Sequence, residues 1–165
     1  MGKEIERKFL LNESTVDLWN MKFNESFEIV QGYFPCHEPT VRVRTSSWFN
    51  SDGYRATLTM KSKDTTITRY EFEYPIPIED AKLMIAMYCG KRIIRKIRRV
   101  VKIDGLNWEI DCYLGNNDGL FTVEVELKNE EQVIQIPDWV GEEITDRPEY
   151  TNHSLAIQNE KIWNS

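Results

Sequence analysis

Histidine and cysteine are scarce in this 165-residue chain, with two of the first and three of the second. His37 and His153 cannot build a histidine-rich metal site, and neither sits in a recognisable Ser–His–Asp context. Cys36, Cys89 and Cys112 lie far apart and form no CxxC pair. That argues against a disulfide framework and a zinc site, and points to a reducing, cytoplasmic setting. The adjacent Cys36-His37 reads as loop, because sequence neighbours rarely form a nucleophile–base pair in space. There is no GxxxxGK[ST] loop, no GxGxxG after a strand and no GxSxG elbow. No apolar run approaches membrane-spanning length, and Met1-Gly2-Lys3-Glu4 leads into charge and not into a secretory h-region. Basic residues are outnumbered 21 to 27, for a formal charge of −6. General nucleic-acid binding needs a basic surface and is disfavoured; a small anion held by a local basic cluster is not.

What the chain does have is charge at alternate positions. Glu4-Ile5-Glu6-Arg7-Lys8 opens it, and the pattern returns as Arg42-x-Arg44, Lys61-x-Lys63, Arg69-x-Glu71-x-Glu73, Lys96-x-Arg98 and Glu124-x-Glu126. In an extended strand these side chains share a face. Several opposite faces are apolar: Val41 and Val43, Leu58 and Met60, Phe72 and Tyr74, Val123 and Val125. With 41% hydrophobic and 29% charged residues, the chain reads as one globular domain over 1–165.

The spacing predicts eight strands, near 3–11, 26–34, 39–46, 53–62, 67–76, 92–103, 106–114 and 120–128. Asp104-Gly105 is a two-residue hairpin signal, and Asp52-Gly53 a turn. Helices are predicted from Asn12 to about Met21, from Pro77 to Cys89, and after Pro148. Trp139 and Trp163 are assigned to packing. The class is mainly β (α+β), and closure into a barrel would remove the sheet edges. Which face turns inward is left open by the pattern alone. A solvated face of cross-strand ion pairs would use the same residues as a charged bore. Carboxylates suit hard divalent ions and arginine forks suit phosphate oxygens, so both on one face point to a metal–polyphosphate site.

The stretch Glu4-Ile5-Glu6-Arg7-Lys8 matches the ExExK signature of the CYTH superfamily, or triphosphate tunnel metalloenzymes. Gln31-Gly32-Tyr33-Phe34, Val41-Arg42-Val43-Arg44, Leu58-Thr59-Met60-Lys61, Arg69-Tyr70-Glu71-Phe72-Glu73, Lys96-Ile97-Arg98, Trp108-Glu109-Ile110-Asp111, Val123-Glu124-Val125-Glu126-Leu127 and Pro137-Asp138-Trp139 resemble its later motifs, in order. The resemblance runs from residue 3 to about 157 and is nearest to small bacterial inorganic triphosphatases.

It implies an eight-stranded antiparallel β-barrel, a tunnel with charges inside, a few helices outside and a C-terminal helix. It implies Mg2+ or Mn2+ held by Glu4, Glu6, Glu124 and Glu126, with Asp111 and Glu73 near a second ion. Lys8, Arg42, Arg44, Lys61 and Arg98 would bind the phosphates. Lys96, Tyr33 and Lys8 would be catalytic, Tyr33 and Lys96 matching a tyrosine–lysine pair that helps activate water. The implied reaction is hydrolysis of tripolyphosphate to pyrophosphate and phosphate. Class IV adenylyl cyclase, thiamine or nucleoside triphosphatase, and a non-catalytic polyphosphate- or nucleotide-binding module are the alternatives. The expected partner is a small triphosphate substrate, with no nucleic acid and no membrane; a homodimer is open. Two departures from the family pattern are Thr45-Ser46-Ser47-Trp48-Phe49-Asn50, read as a long turn, and Ser62 where glycine is common. Arg95 and Arg99 read as external, and the last helix as a closure for one tunnel end.

Overall fold

A computed structural model of the protein describes residues 5–12, 14, 17, 18, 20–36, 38–61, 71–129 and 131–158. Its strands are β1 (Ile5–Leu11), β2 (Glu25–Tyr33), β3 (Thr40–Trp48), β4 (Tyr54–Lys61), β5 (Glu71–Pro75), β6 (Ile93–Ile103), β7 (Leu106–Leu114), β8 (Phe121–Leu127) and β9 (Val140–Glu143). They form one antiparallel sheet in the order β5-β4-β3-β2-β6-β7-β8-β1-β9. Glu71 and Glu73 near one margin of the sheet, and Glu6 and Lys8 near the other, line the same cavity. The sheet is therefore rolled into a barrel-like wall. Among the described residues nine strands are seen where eight were expected, because β9, from the tail, pairs with the outer side of β1, the ExExK strand. Among the described residues no ladder joins β5 to β9.

Alternation along each strand separates two environments. Phe9, Leu11, Trp108, Ile110, Val123 and Val125 pack outward into one core, covered by Leu18, Met21, Phe23 and Trp139. Trp139 meets Trp108 edge-on at 5.9 Å. Glu6, Lys8, Arg98, Glu124 and Glu126 face the other way, into the cavity. Aliphatic packing is thus outside and ionic side chains inside, the inverted polarity the sequence pattern left undecided.

A second outer core forms beneath α1 (Ile78–Tyr88), where Val43, Ala56, Ala81 and Cys89 are buried. Glu79 and Asp80 in its first turn complement the helix dipole, and Gly90 at φ 58° ends it. Gly32 lets this helix approach: a Cβ there would lie 2.5 Å from the Cys89 sulfur. The Asp104-Gly105 hairpin takes positive φ at both residues, 51° and 76°, as a type I′ turn requires.

One end of the bore is plugged. Leu10, Tyr33, Ile94, Tyr113 and Leu120 meet Tyr150, Leu155 and Ala156 from the C-terminal segment. That segment is a short 3-10 turn, Pro148–Tyr150, followed by α2 (Asn152–Ile157). Thr151 caps α2 by accepting from the Ser154 amide at 3.2 Å.

Two expectations change. β3 runs two residues past the predicted strand end at 46, and the segment read as a long turn stays paired through Trp48, since Thr45, Ser46, Ser47 and Trp48 pair with Val30, Ile29, Glu28 and Phe27. The Phe27 and Trp48 rings stack at 4.9 Å and hold the extension. The helix predicted from Asn12 is not seen among the described residues there; Asp17 instead accepts from Asn20 and Met21 in a turn. Trp163 lies outside the described residues. No helix among the described residues is long and apolar enough to cross a membrane.

Candidate active site

The cavity has a volume of about 750 Å³, and its two walls differ. On the first, β1 and β8 pair so that Glu6 faces Glu126 and Lys8 faces Glu124, while β7 sets Glu109 beside Glu124. Lys8 Nζ lies 2.8 Å from Glu124 Oε1, and Arg98 Nη2 donates to Glu124 Oε2 at 2.5 Å. Arg98 also spans Asp111 through Nε and Nη2, both at 2.7 Å, and donates to Glu109. Lys96 donates to Asp111 behind it. Burial works against the charge on Glu124 and Asp111, but the cations win and hold both carboxyls below their ordinary range. Burial pushes the Lys96 ammonium down to about 8, against the pull of Asp111.

Glu6 is the exception on this wall. Burial, reinforced by the nearby Glu124 carboxylate, raises it to about 7. A carboxyl held next to another without full compensation is a place where a cation would be stabilised.

The opposite wall carries Arg42, Arg44 and Lys61. Lys61 Nζ reaches Glu71 at 2.8 Å. Arg42 Nη2 donates to Thr59 Oγ1 at 3.2 Å and lies 3.6 Å from Glu73, while its Nε is buried with no partner among the described residues. Arg44 has no ion-pair partner among the described residues; its Nε donates to Gln31 Oε1 at 3.1 Å. Burial, then Arg42 and Arg98, lowers the Arg44 guanidinium to about 10. Two adjacent guanidiniums with donors to spare are a cradle for an anion.

Of the residues singled out from sequence, Glu6, Lys8, Arg42, Arg44 and Lys61 line this cavity, as do Glu73, Arg98, Glu124 and Glu126. Lys96 and Asp111 are wholly buried beside it. Tyr33 belongs to the plugged end, where Gln31 Nε2 donates to its hydroxyl at 3.0 Å. Glu4 lies outside the described residues, as do Lys63 and Arg69. Arg95 and Arg99 face outward, Arg95 pairing with Glu28 at 2.7 Å and Arg99 lying over Phe23.

Sequence reasoning passed over Glu109 as a site residue, and counted Glu71 among the acids of the charged face without giving it a ligand role. The signal for Glu109 was present: Glu109-x-Asp111 repeats the same alternate-acid spacing as the ExE pairs. Thr145, Thr151 and Asn152 also line the cavity; they come from a connection, the cap of α2 and its first residue, which strand periodicity cannot place.

Among the described residues no three acidic, histidine or cysteine side chains gather closely enough to hold one ion. The donor chemistry nevertheless suits a hard cation, which needs one or two carboxylates and takes its remaining oxygens from water and phosphate. Glu6 and Glu124 supply such a pair, and Glu126 stands opposite Glu6.

The CYTH domain profile matches residues 2–155. An inorganic triphosphatase of Acetivibrio thermocellus is 39% identical over 157 residues, covering 94% of this chain and 94% of its own. One from Nitrosomonas europaea is 30% identical over 157 residues, covering 93% and 97%. A crystal structure of an inorganic triphosphatase superposes with a TM-score of 0.68 at 29% identity, covering 96% of this chain and 97% of its own. A putative adenylyl cyclase from Hippeastrum, described as having a dominant triphosphatase activity, shares the fold at 16% identity and a TM-score of 0.55, covering 78% and 81%.

Proposed function

The chain belongs to the CYTH family, and on that premise we propose that it hydrolyses inorganic tripolyphosphate to pyrophosphate and phosphate in the charged bore. The observation that carries this reading is the asymmetry of the cavity: Arg42, whose buried Nε has no partner among the described residues, and Arg44, which has no ion pair among them, face a wall of buried carboxylates. The two relatives named inorganic triphosphatase support it.

In this reading Arg42, Arg44 and Lys61 grip phosphate oxygens from one side, and Lys8 and Arg98 from the other. A triphosphate carries several negative charges near neutral pH, so no single cation balances it. Because these cations are fixed by strand register, they stabilise charge building on the leaving pyrophosphate without rearranging. Water attacks the terminal phosphorus in line, the phosphoanhydride bond breaks, and the attacking water's proton leaves to solvent or to a basic group. Lys96, buried beside Asp111, holds or passes a proton near that water. Tyr33 frames the closed end of the site. Mg2+ or Mn2+, held by Glu6, Glu124 and Glu126 with Glu4, would supply Lewis-acid charge neutralisation; Asp111, wholly buried with both oxygens bonded to Lys96 and Arg98, does not fit the second ion expected between it and Glu73. The three cysteines, unpaired in this structure, support a cytoplasmic setting.

A second reading is favoured by one feature. A smaller pocket of about 180 Å³, lined by Phe27, Ile29 and Trp48, shares Arg44 and Arg98 with the main cavity. It offers room for an organic substituent on a triphosphate, as a nucleoside triphosphatase or cyclase would need.

Phosphate release from tripolyphosphate, ATP, thiamine triphosphate and pyrophosphate, each with Mg2+ and with Mn2+, tests both. Release from tripolyphosphate foremost supports the first reading. Cyclic AMP plus pyrophosphate from ATP would replace it with the second. Tight binding without turnover under either metal would leave a non-catalytic polyphosphate-binding module.

A further inference from the structure

Strand register decides which tyrosine stands beside Lys96. β2 pairs with β6 so that Ile29 faces Lys96, and Tyr33 lies four residues beyond Ile29, on the order of 13 Å along the strand. β7 pairs with β6 so that Tyr113 is the direct cross-strand partner of Lys96. Lys96 Nζ sits over the Tyr113 ring, 5.4 Å from its centroid. Both side chains are buried, where attraction between a cation and a ring face is stronger than in water. The ammonium is thus bracketed by the Asp111 carboxylate and an aromatic face.

The ring is itself tied down. Tyr113 Oη donates to Asn152 Oδ1 at 2.9 Å. Asn152 opens α2, and that helix is fastened at its far end, where Asn117 Nδ2 donates to the Leu155 carbonyl at 3.2 Å. Next to Asn152, His153 places its ring edge-on to Tyr33 at 5.2 Å. The first turn of α2 therefore touches the tyrosine beside Lys96 and the tyrosine at the closed end. Contact runs without a break from the plug, through Tyr113, to the buried ammonium.

We propose that Asn152 and Tyr113 are positioning residues for Lys96: through one hydrogen bond to Tyr113, the C-terminal helix fixes where the buried ammonium stands during phosphoanhydride hydrolysis. The plug is then part of the reaction apparatus as well as a stopper. This rests on the triphosphatase reading above and on the part Lys96 plays in it.

The test combines tripolyphosphate turnover with 13C NMR of the lysine ε-methylenes in the full chain. Asn152→Ala lowers kcat about tenfold, as loss of alignment does, and leaves KM within about twofold. Tyr113→Phe, which keeps the ring and loses the hydroxyl, does the same, and the double variant is no worse than Tyr113→Phe alone, as non-additivity within one contact chain requires. Asn152→Asp keeps an acceptor oxygen and retains most of kcat.

The Lys96 ε-methylene, shielded by the ring and assigned by its disappearance in Lys96→Arg, moves toward the position of the exposed lysines in Asn152→Ala. Additive losses overturn the proposal. So does a rise in KM at constant kcat, which would mean that Asn152 touches substrate directly, and so does an unmoved Lys96 signal. If the native chain releases no phosphate, the triphosphatase reading fails by itself and the NMR shift alone decides the positioning. Should Asn152→Ala not fold, Asn152→Ser, whose hydroxyl is too short to reach Tyr113, takes its place in both measurements.

Discussion

The two walls of the bore hold similar side chains in opposite states. On the β6–β7–β8–β1 wall, Lys8, Lys96 and Arg98 are matched by Glu124, Asp111 and Glu109 and are almost wholly buried. On the β3–β4 wall, Arg42 has a loose carboxylate at 3.6 Å and Arg44, among the described residues, an amide only. On the first wall, among the described residues, Glu6 is left uncompensated, and each cation already has a carboxylate of the protein's own, so these pairs hold the sheet together whatever the bore contains. On the second the guanidiniums carry charge that the described residues do not match, and there the proposed anion would add most. Charge that chiefly holds a sheet together is told from charge that chiefly binds by asking whether its partner already comes from the protein.

Replacing both Arg42 and Arg44 with alanine gives the largest effect. Each loses charge-assisted hydrogen bonds worth about 1.5–3 kcal/mol, so kcat/KM for tripolyphosphate falls roughly a thousandfold. The urea midpoint of the metal-free protein stays the same or rises. A fall in midpoint comparable to the loss of activity would erase the distinction between the walls.

Glu124→Ala does the reverse. It leaves Lys8 unpaired and Arg98 short of one partner, costing about 3–5 kcal/mol of stability, the range for breaking a buried pair. Urea unfolding reads it directly, and a loss under about 1 kcal/mol would show that water relieves this wall.

The pH dependence of stability sharpens the comparison from within the first wall. Glu6 has a folded-state value near 7, above its ordinary 4.5. The folded chain therefore binds the proton more tightly. Its contribution is fully present below about pH 4.5 and is lost as pH rises through about 7. In EDTA, stability falls across that window, and Glu6→Gln flattens the slope. Glu124 and Asp111 are shifted the other way, so their contributions are lost on acidification below pH 4.5 and do not confuse the reading. A metal-free native protein with no slope between pH 5 and 7 would refute the crowding of Glu6 by Glu124.

The smallest effect is outside the bore. Arg7 Nη2 lies 2.6 Å from Glu143 Oε2 at a partly exposed site. Arg7→Ala costs about 0–1 kcal/mol and leaves turnover alone. A measurable loss of activity there would mean that β9 bears on the bore.

Much of this was legible from period two alone. Glu6 and Lys8, Arg42 and Arg44, Lys96 and Arg98, and Glu124 and Glu126 alternate with residues that are apolar or packed outward, so strand faces followed from spacing. The direction of curl did not, because Val123 and Glu124 are equally well placed for either closure. The family resemblance supplied that direction. What escaped was set by register and by irregular backbone. Tyr113 stands opposite Lys96 because the two-residue Asp104-Gly105 turn sets the register of β6 and β7; counting out from that turn reaches the pair, but the charge pattern on its own does not point to it. Asn152 arrives on a helix of six residues, too short for a periodic signal. Thr45 to Trp48 looked like a turn because three small polar residues follow Arg44; pairing with β2 and the Phe27–Trp48 stack overrode that local composition.

Alternation within β8 also constrains how this gene can drift. Losing one codon there would hand Val123 and Val125 to the phosphates and drive Glu124 and Glu126 beneath Trp108, exchanging two solvents in a single step. Losing two would keep each face's character and only shorten the strand. Length variation among natural relatives should therefore accumulate in hairpin tips such as Asp104-Gly105, and in strands only by even numbers.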